Sequence, residues 1–356
     1  MRNVLVVQLG LMGDVLLMTP LLRRVRASLP AARITMVVPP SSRDAIATNP
    51  DVDAIVTYDA FWADPSDNHR HAFRARHVLE SIRFVRDNRD VEYDLIINCW
   101  VMDQPLTAVL LSFLRSKCLL GFAFPYSGRF YDERRAIDPA LHIADNAIEL
   151  FEQVVPAPAL DSPRHLRYDI PAMPPDAAFE AVTESTTAPY LLIAPFSSES
   201  TKEWELSHWA TVLNEVSRLY PRVRLLITGL ANTRVRSMSL MASLDGRVVN
   251  AVGALSLPQF AHMMKHAAAT ITTESGAMHL ASAFDVPVFV LFSQVYNYKQ
   301  FLPYRVESEH SVVPVPCAGC IYGCALMSCM KHDVSRVMAQ LLQFCARVPA
   351  LTAGSD

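Results

Sequence analysis

The chain has 356 residues, of which 51% are hydrophobic and 19% are charged, and its formal net charge is −3. This length predicts two domains, and the composition excludes an intrinsically disordered chain and a coiled coil. The near-neutral charge argues against a nucleic-acid-binding protein that works by broad neutralisation of phosphates. The sequence has no apolar run of the ~18 residues that span a bilayer. Asp14 also interrupts the N-terminus where a signal peptide would continue its apolar core, so we expect a cytoplasmic protein.

The first forty residues predict a strand, a helix and a second strand. The β-branched segment Asn3–Leu9 is typical of a buried parallel strand, and apolar residues recur at helical spacing over Asp14–Leu29. A second strand is predicted over Ile34–Val38, before two prolines. These elements form a βαβ unit. Further strands are predicted at Ala54–Tyr58, Asp94–Asn98 and Leu119–Gly121.

A proline-rich stretch separates this α/β series from a second one. Six prolines lie between Val155 and Pro175, where neither a helix nor a central strand is expected. The strands predicted after it are Tyr190–Ala194, Val223–Thr228, Ala269–Thr273 and Pro287–Phe292, and the predicted helices are Glu205–Leu219, Ser256–Ala267, Gly276–Phe284 and Val334–Val348. The sequence therefore predicts an N-terminal domain over residues 1–154, a linker over 155–175, a C-terminal domain over 176–330, and a C-terminal helix and tail over 331–356.

Gly10 and Gly13 lie in the turn between the first strand and the first helix, and Asp14 follows them. Ligands of open parallel sheets bind at the carboxyl ends of strands, and glycines let the backbone approach a ligand closely. Asp14 has two interpretations, a carboxylate that caps the helix N-terminus or a general base. The spacing alone favours the cap. The turn lacks the GxGxxG of dinucleotide-binding proteins, which argues against an NAD-dependent oxidoreductase.

Hydroxyl groups and a lysine follow the strand Tyr190–Ala194, at Ser197, Ser198 and Lys202. Hydroxyl groups and an ammonium group suit the oxygens of a phosphate. The alternative is a polar loop with a capping serine and a solvated lysine, and this segment alone favours that alternative.

A third segment follows the strand that ends at Thr273, and its residues are Glu274, Ser275, Gly276, Ala277, Met278 and His279. A glycine there begins a helix, and a helix N-terminus can hold an anion. The carboxylate can accept hydrogen bonds from a sugar or a ribose, and the histidine can donate one to a phosphate. A single histidine in such a helix is more often a packed side chain.

Four of the seven cysteines have the spacing C-x2-C-x3-C-x4-C, namely Cys317, Cys320, Cys324 and Cys329. Four thiolates can enclose zinc or iron tetrahedrally. A zinc ribbon has two well-separated CxxC pairs, whereas this cluster has one, so the pattern favours reduced, packed thiols over a structural metal site. We assign no catalytic metal and no required cofactor.

Taken together, these segments resemble glycosyltransferase family 9, the bacterial heptosyltransferases. The resemblance runs along most of the chain and rests on four motifs in order, GLMGDVLLMTPLLRRVRASLP with ITMVVP, then PFSSESTKEW, VGALSLPQFAHMM and TESGAMHLASAFDVPVFVLF. A cysteine-rich stretch with CM also occurs near the C-terminus in many members.

The resemblance implies an α/β GT-B fold, in which two Rossmann-like domains face a central cleft. It implies an acceptor on the N-terminal domain and a nucleotide sugar, usually ADP-L-glycero-D-manno-heptose, on the C-terminal domain. The family inverts the anomeric centre without a catalytic metal, and a lipopolysaccharide-core acceptor implies peripheral association with the inner membrane. In the family pattern Asp14 matches the general base, Lys202 stabilises the leaving diphosphate, Ser197 and Ser198 match further donor-phosphate contacts, and Ser275, Gly276, Ala277, Met278 and His279 match the second phosphate-binding turn.

Two departures from the family pattern fall on the donor side. The acidic residue of the last motif is usually Asp, whereas Glu274 is one methylene longer, and the acid that often meets the ribose is absent from Gly229–Arg234. The open alternatives are another nucleotide sugar, a protein or natural-product acceptor, and a non-catalytic nucleotide-sugar-binding protein of the same fold. The joint presence of Asp14, Lys202 and His279 argues against the last of these.

Overall fold

The computed structural model describes residues 1–59, 75–156, 165–186, 189–319, 324 and 326–352. The backbone divides into two compact units, Met1–Asp169 and Ile170–Asp356, here called unit 1 and unit 2. The division falls within the proline-rich stretch 155–175. Each unit contains a sheet of six parallel strands, with α-helices or short 3₁₀ helices between successive strands of the chain.

Unit 1 contains the strands β1 (Asn3–Val7), β2 (Arg33–Val38), β3 (Ala54–Thr57), β4 (Leu95–Asn98), β5 (Leu119–Phe122) and β6 (Glu133–Arg135). Its helices are α1 (Met12–Leu16), α2 (Thr19–Ser28), α3 (Ala75–Asn88), α4 (Pro105–Ser112) and α5 (Ile143–Glu152). The strands lie in the order β3-β2-β1-β4-β5-β6. The central strands β1 and β4 are almost entirely buried, because a parallel sheet covered on both faces requires continuous apolar runs.

Unit 2 contains the strands β7 (Tyr190–Ala194), β8 (Arg224–Ile227), β9 (Val248–Asn250), β10 (Ala269–Thr273), β11 (Val288–Phe292) and β12 (Ser308–Val312). Its helices are α6 (Ala177–Glu184), α7 (Leu206–Leu219), α8 (Arg234–Met241), α9 (Leu257–His266), α10 (Gly276–Ala283), α11 (Val334–Arg347) and α12 (Pro349–Thr352). The strands lie in the order β12-β11-β10-β7-β8-β9.

Both sheets have the strand order of the doubly wound Rossmann fold. Counted from the first strand of each unit, the order is 3-2-1-4-5-6. The direction of winding reverses between β1 and β4 in unit 1, and between β7 and β10 in unit 2. Ligands of such sheets bind outside the carboxyl ends of the strands at this reversal. The α/β class with two Rossmann-like domains is therefore confirmed, and ligands are expected at the loops after β1, β7 and β10.

The single helix predicted over Asp14–Leu29 is wrong, because α1 and α2 are separate helices. Pro20 has no N–H to donate to the carbonyl of Leu16, four residues earlier, and this breaks the helix. The hydroxyl of Thr19 donates to that carbonyl instead, at 2.7 Å. Apolar periodicity does not register this break, because the apolar residues continue through it.

The C-terminal helix α11 packs against α7 and β12 of unit 2. Its residues Leu341, Phe344 and Cys345 belong to the same apolar core as Trp209 of α7. Within the described ranges, no helix combines the length and the apolar character needed to cross a membrane.

Candidate active site

Asp14 lies in the first turn of α1, against Gly10. Its Oδ2 atom accepts a hydrogen bond from the backbone N–H of Leu11 at 2.9 Å, which is the capping interaction that the spacing favours. A Cβ atom added to Gly10 would lie 2.5 Å from the same Oδ2 atom, so only glycine leaves room for this carboxylate. The side chain of Asp14 is half-buried. The capping contact is thus observed, and the role of Asp14 as a general base is a proposal.

Two side chains that the motifs did not identify hold the backbone of Gly10. Oε1 of the buried Gln8 accepts a hydrogen bond from the Gly10 N–H at 3.1 Å, and the hydroxyl of Ser42 donates to the Gly10 carbonyl at 3.1 Å. Gly13 is buried inside α1, a helix of five residues. Gln8 is a polar residue in the otherwise apolar segment Val4–Leu9, and that exception was the available signal.

Ser197 and Ser198 lie in the loop after β7, at the carboxyl edge of the unit 2 sheet. Ser198 is exposed and Ser197 is half-buried. The backbone N–H of Ser197 donates to Oε1 of Glu203 at 3.0 Å, and the other oxygen of that carboxylate accepts a hydrogen bond from Arg236. The guanidinium of Arg236 also lies 5.2 Å from the centre of the Phe196 ring. Glu203 and Arg236, neither of which the motifs singled out, therefore tie this loop to α8.

Lys202 is 9% exposed, so the solvated lysine of the alternative interpretation is wrong. Its Nζ atom lies 3.2 Å from Oε1 of Glu199 and 3.9 Å from Oε1 of Glu274. The ammonium group also lies 4.9 Å from the centre of the Tyr296 ring. Burial on its own would lower the pKa of Lys202, but the carboxylates of Glu274 and Glu199 outweigh it and raise that pKa. Lys202 is therefore a buried cation at neutral pH.

Glu274 follows β10, beside the point where the winding of the unit 2 sheet reverses. It is 7% exposed, and its Oε2 atom accepts the hydroxyl proton of Ser293 at 2.6 Å. Burial raises the pKa of Glu274, although Lys202 and the hydrogen bond from Ser293 favour the charged form. The fold thus brings together Lys202 and Glu274, which belong to separate sequence motifs.

The helix α10 begins directly after Ser275, and its first residue is Gly276. The hydroxyl groups of Ser275 and Thr272 lie 3.1 Å apart and share a hydrogen bond. The side chains of Ala277, Met278 and His279 are buried, with His279 5% exposed, as expected for a packed histidine. The first amide groups of a helix have no partner inside it and carry partial positive charge. Any contact of this segment with a phosphate would therefore come chiefly from the backbone.

The cysteine cluster does not come together among the residues that the structure describes. Cys317 is exposed, Cys324 is half-buried and Cys329 is buried in the apolar core of unit 2. Cys320 lies outside the described residues. No group of three potential metal ligands is found in the described ranges. Because Cys320 lies outside them, the structure does not test the four-cysteine metal site, which stays a prediction.

At the carboxyl edge of its sheet, unit 2 has a buried cation, a helix N-terminus and two serines. These groups suit the oxygens of a phosphate, and the Glu274 carboxylate suits the hydroxyl groups of a sugar. Unit 1 has the carboxylate of Asp14 at the corresponding edge of its own sheet. The predicted residues therefore lie at the ligand-binding edges of two Rossmann-like units.

The sequence and the fold of the chain are similar to those of known proteins. The chain is 25% identical over 325 residues to lipopolysaccharide heptosyltransferase 1 of Pseudomonas aeruginosa, covering 90% of this chain and 86% of the relative. Its fold is similar to a crystal structure of a family 9 glycosyl transferase from Veillonella parvula, with a TM-score of 0.75, 20% identity, and 96% and 97% of the two chains covered. It is also similar to Escherichia coli heptosyltransferase WaaC with ADP-2-deoxy-2-fluoro heptose, with a TM-score of 0.69, 17% identity, and 96% and 99% covered.

A sequence model of glycosyltransferase family 9 (heptosyltransferase) matches residues 81–328, which is more than half of the chain. The matched range includes the loop after β7, the segment after β10 and most of unit 2. The chain therefore belongs to glycosyltransferase family 9 and is a glycosyltransferase of the heptosyltransferase type.

Proposed function

We propose that the chain transfers heptose from ADP-heptose to a hydroxyl group of a lipopolysaccharide-core glycolipid, with inversion of the anomeric centre and without a catalytic metal. The observation that carries the proposal is the buried Lys202 beside Glu274 at the winding reversal of the unit 2 sheet. The similarity to the Pseudomonas lipopolysaccharide heptosyltransferase, and to the structure of WaaC with an analogue of ADP-heptose, supports the same donor and acceptor.

In this proposal unit 1 binds the acceptor, and Asp14 is the general base. A free hydroxyl group is a poor nucleophile, and a positioned carboxylate can remove its proton as the new bond forms. The acceptor oxygen forms a bond to the anomeric carbon while the bond from that carbon to the diphosphate breaks. The proton passes to Asp14, and the electron pair of the broken bond leaves with ADP. One displacement of this kind inverts the anomeric centre.

Unit 2 binds the donor and stabilises the leaving diphosphate. Negative charge grows on the diphosphate as the glycosidic bond breaks, and fixed positive groups lower the energy of that transition state. Lys202 supplies a full charge, and the N-terminal amides of α10 supply partial charges. The hydroxyl groups of Ser197, Ser198 and Ser275 complete the set of donors to phosphate oxygens. With these groups the chain itself neutralises the leaving group.

Glu274 binds hydroxyl groups of the donor sugar in this scheme. Its carboxylate accepts hydrogen bonds and follows β10, so it lies at the same edge as the phosphate-binding groups. The raised pKa of Glu274 would favour proton uptake, but the carboxyl group stays close to Lys202, which opposes protonation. Asp14 is on the acceptor side and remains the base.

The proposal also places the chain at the cytoplasmic face of the inner membrane, attached peripherally where its glycolipid acceptor resides. Exposed apolar side chains on α3 and α4, two helices that contact each other, support this. More than half of the surface of each of four residues is exposed: Leu79 and Ile82 of α3, Leu106 of α4, and Phe113, which directly follows α4. Such residues on an amphipathic helix with exposed arginines are typical of interfacial binding. Two exposed arginines belong with the four apolar residues to what we call the α3–α4 face: Arg83, which pairs with Glu80 at 2.7 Å, and Arg86, which pairs with Asp87 at 2.8 Å.

Incubation of the protein with ADP-heptose and a lipopolysaccharide-core acceptor tests the proposal directly. We expect ADP release that requires both substrates and continues in the presence of a chelator. If only another nucleotide sugar releases its nucleoside diphosphate, that sugar is the donor. Binding of ADP-heptose without any release of ADP would show a non-catalytic protein of the same fold.

A further inference from the structure

Ser293 follows β11 directly and lies outside the sequence motifs. Its side chain is fully buried, and its hydroxyl donates to Oε2 of Glu274 at 2.6 Å. The hydroxyl oxygen of Ser293 accepts a longer hydrogen bond of 3.4 Å from the backbone N–H of Val295. A serine hydroxyl has one proton, so with Val295 on the acceptor side that proton is directed to Glu274.

The peptide group between Phe292 and Ser293 is held in place by His332. The carbonyl oxygen of Phe292 lies 3.2 Å from Nε2 of His332, and Nδ1 of His332 lies 3.1 Å from the hydroxyl of Ser311. A carbonyl oxygen can only accept, so Nε2 carries the proton and Nδ1 accepts from Ser311. His332 is 3% exposed. These hydrogen bonds fix the end of β11, and with it the position of the Ser293 hydroxyl that donates to Glu274.

The restraint on Glu274 has a consequence for Lys202. A charged N–H···O hydrogen bond is normally about 2.7–2.9 Å long, whereas Oε1 of Glu274 stays 3.9 Å from Nζ of Lys202. Both side chains are buried, so attraction between them is weakly screened. Glu199, the other carboxylate on Lys202, is 41% exposed and can move into water when a ligand arrives. Glu274 is 7% exposed, so it cannot move into water in the same way.

We propose that Ser293 is a positioning residue that holds Glu274 back from Lys202, and so keeps the ammonium group available to the diphosphate of the nucleotide sugar. This inference rests on the proposed donor site. The backbone N–H of Ser293 also interacts with the Glu274 carboxylate. Without the Ser293 hydroxyl, that carboxylate loses its 2.6 Å hydrogen bond and moves closer to Lys202, and the tighter ion pair competes with the diphosphate. The loss then appears in the binding of the nucleoside diphosphate, before any chemical step.

The test is a double-mutant cycle on the affinity for ADP, measured by calorimetry. We expect Ser293→Ala to weaken ADP binding about tenfold, which corresponds to about 1.4 kcal/mol. In the Glu274→Gln background the same change should have little effect, because a neutral amide does not pair with Lys202. Ser293→Cys keeps a weak hydrogen-bond donor and should give an intermediate loss of ADP affinity. This variant tests the inference if Ser293→Ala does not fold.

Ser282→Ala is the matched control, because Ser282 is a buried serine of α10 whose hydroxyl donates to the carbonyl of Met278. It should leave ADP affinity unchanged while lowering the melting temperature to a similar extent as Ser293→Ala. An equal loss of affinity for Ser293→Ala in both backgrounds, or no loss in either, would overturn the inference and leave the proposed donor site intact. Failure of the wild-type protein to bind ADP would instead overturn the ADP donor site, and this inference with it.

Discussion

The ammonium group of Lys202 lies 3.9 Å from Oε1 of Glu274, at a site where both residues are less than a tenth exposed. A buried charge is costly unless other charges or hydrogen bonds compensate it, and here two carboxylates and the Tyr296 ring do so. In the proposed donor site, the diphosphate of the nucleotide sugar is a further group able to interact with the Lys202 ammonium. If that proposal holds, donor binding and the stability of unit 2 are linked through this pair.

Lys202→Ala should weaken nucleotide-sugar binding and slow the chemical step, because it removes the full positive charge next to the diphosphate. A hydrogen bond to a charged group contributes about 1.5–3 kcal/mol, so a loss of about 10- to 100-fold in kcat/KM is expected. Lys265→Ala, at an exposed position of α9, is the control and should behave like the wild type. Unchanged donor affinity and unchanged turnover for Lys202→Ala would contradict the assignment.

Asp14→Asn separates the two interpretations of that carboxylate. An amide keeps an oxygen that can accept the hydrogen bond from Leu11, so the cap survives, but the amide cannot take a proton. We expect transfer to fall by about 10²–10⁴-fold with nearly unchanged donor binding, measured by steady-state kinetics and ADP calorimetry. Asp44→Asn, at an exposed aspartate of unit 1, is the control. A near wild-type kcat for Asp14→Asn would reduce this residue to a helix cap.

Glu274→Gln should be milder than Asp14→Asn, because the amide keeps one acceptor oxygen for the donor sugar. Glu274→Asp shortens the side chain by one methylene and should change the ranking of nucleotide sugars by tenfold or more, since each hydrogen bond contributes about 0.5–1.5 kcal/mol, or up to about 3 with a charge. The measurement is kcat/KM for several nucleotide sugars with all three proteins. An unaltered ranking would remove Glu274 from donor selection, and a Glu274→Gln enzyme as inactive as Asp14→Asn would reopen the assignment of the base.

His332 makes the stability of unit 2 depend on pH. Burial lowers the pKa of His332 from 6.5 to about 4, so the folded chain keeps this side chain neutral while the unfolded chain protonates it below about pH 6.5. The stabilisation is therefore complete above pH 6.5 and is lost as the pH falls towards 4. By this linkage the free energy of unfolding should drop by about 2 kcal/mol from about pH 7 to about pH 5.

Urea titrations at about pH 7 and about pH 5 check this pH dependence. The His332→Gln variant should lose most of the difference between the two pH values, whereas His266→Gln, at an exposed position, should keep it. The same pH dependence in His332→Gln as in the wild type would show that other groups cause it.

The α3–α4 face gives a prediction about membranes. The protein should sediment with vesicles that contain an anionic lipid such as phosphatidylglycerol, and less with vesicles of phosphatidylcholine alone. The triple variant Leu79→Ser, Ile82→Ser and Phe113→Ser should lose most of this binding, because apolar burial contributes about 25 cal/mol per Å². Leu230→Ser with Met238→Ser removes comparably exposed residues from unit 2 and is the control. Equal sedimentation of both variants would contradict the assignment of this face.

The central strands were predictable from the sequence, because a parallel strand buried on both faces has a continuous apolar run. Tyr190–Ala194 and Ala269–Thr273 have the predicted bounds. The strands β6 (Glu133–Arg135) and β12 (Ser308–Val312) lie at the edges of their sheets and carry polar residues, so no apolar run marks them. The helix break before Pro20 depends on one missing N–H, which periodicity does not detect.

The site was predictable only where residues follow strands within a motif. Lys202 and Glu274 follow β7 and β10, and the strand order of the sheet makes those strands neighbours. Ser293 was missed because it follows β11 outside every motif, and a buried serine has no sequence pattern of its own. Gln8, by contrast, was visible as a polar exception in an apolar strand.

Mass spectrometry of the reaction product tests the central claim most directly. The protein is incubated with a lipopolysaccharide-core acceptor and, separately, with ADP-heptose and with a panel of other nucleotide sugars. We predict that ADP-heptose adds one heptosyl group to the acceptor, that an equal amount of ADP appears, and that Asp14→Asn lowers the rate of both by about 10²–10⁴-fold. Transfer from a different nucleotide sugar with none from ADP-heptose, or no product with any donor, would contradict the proposed function.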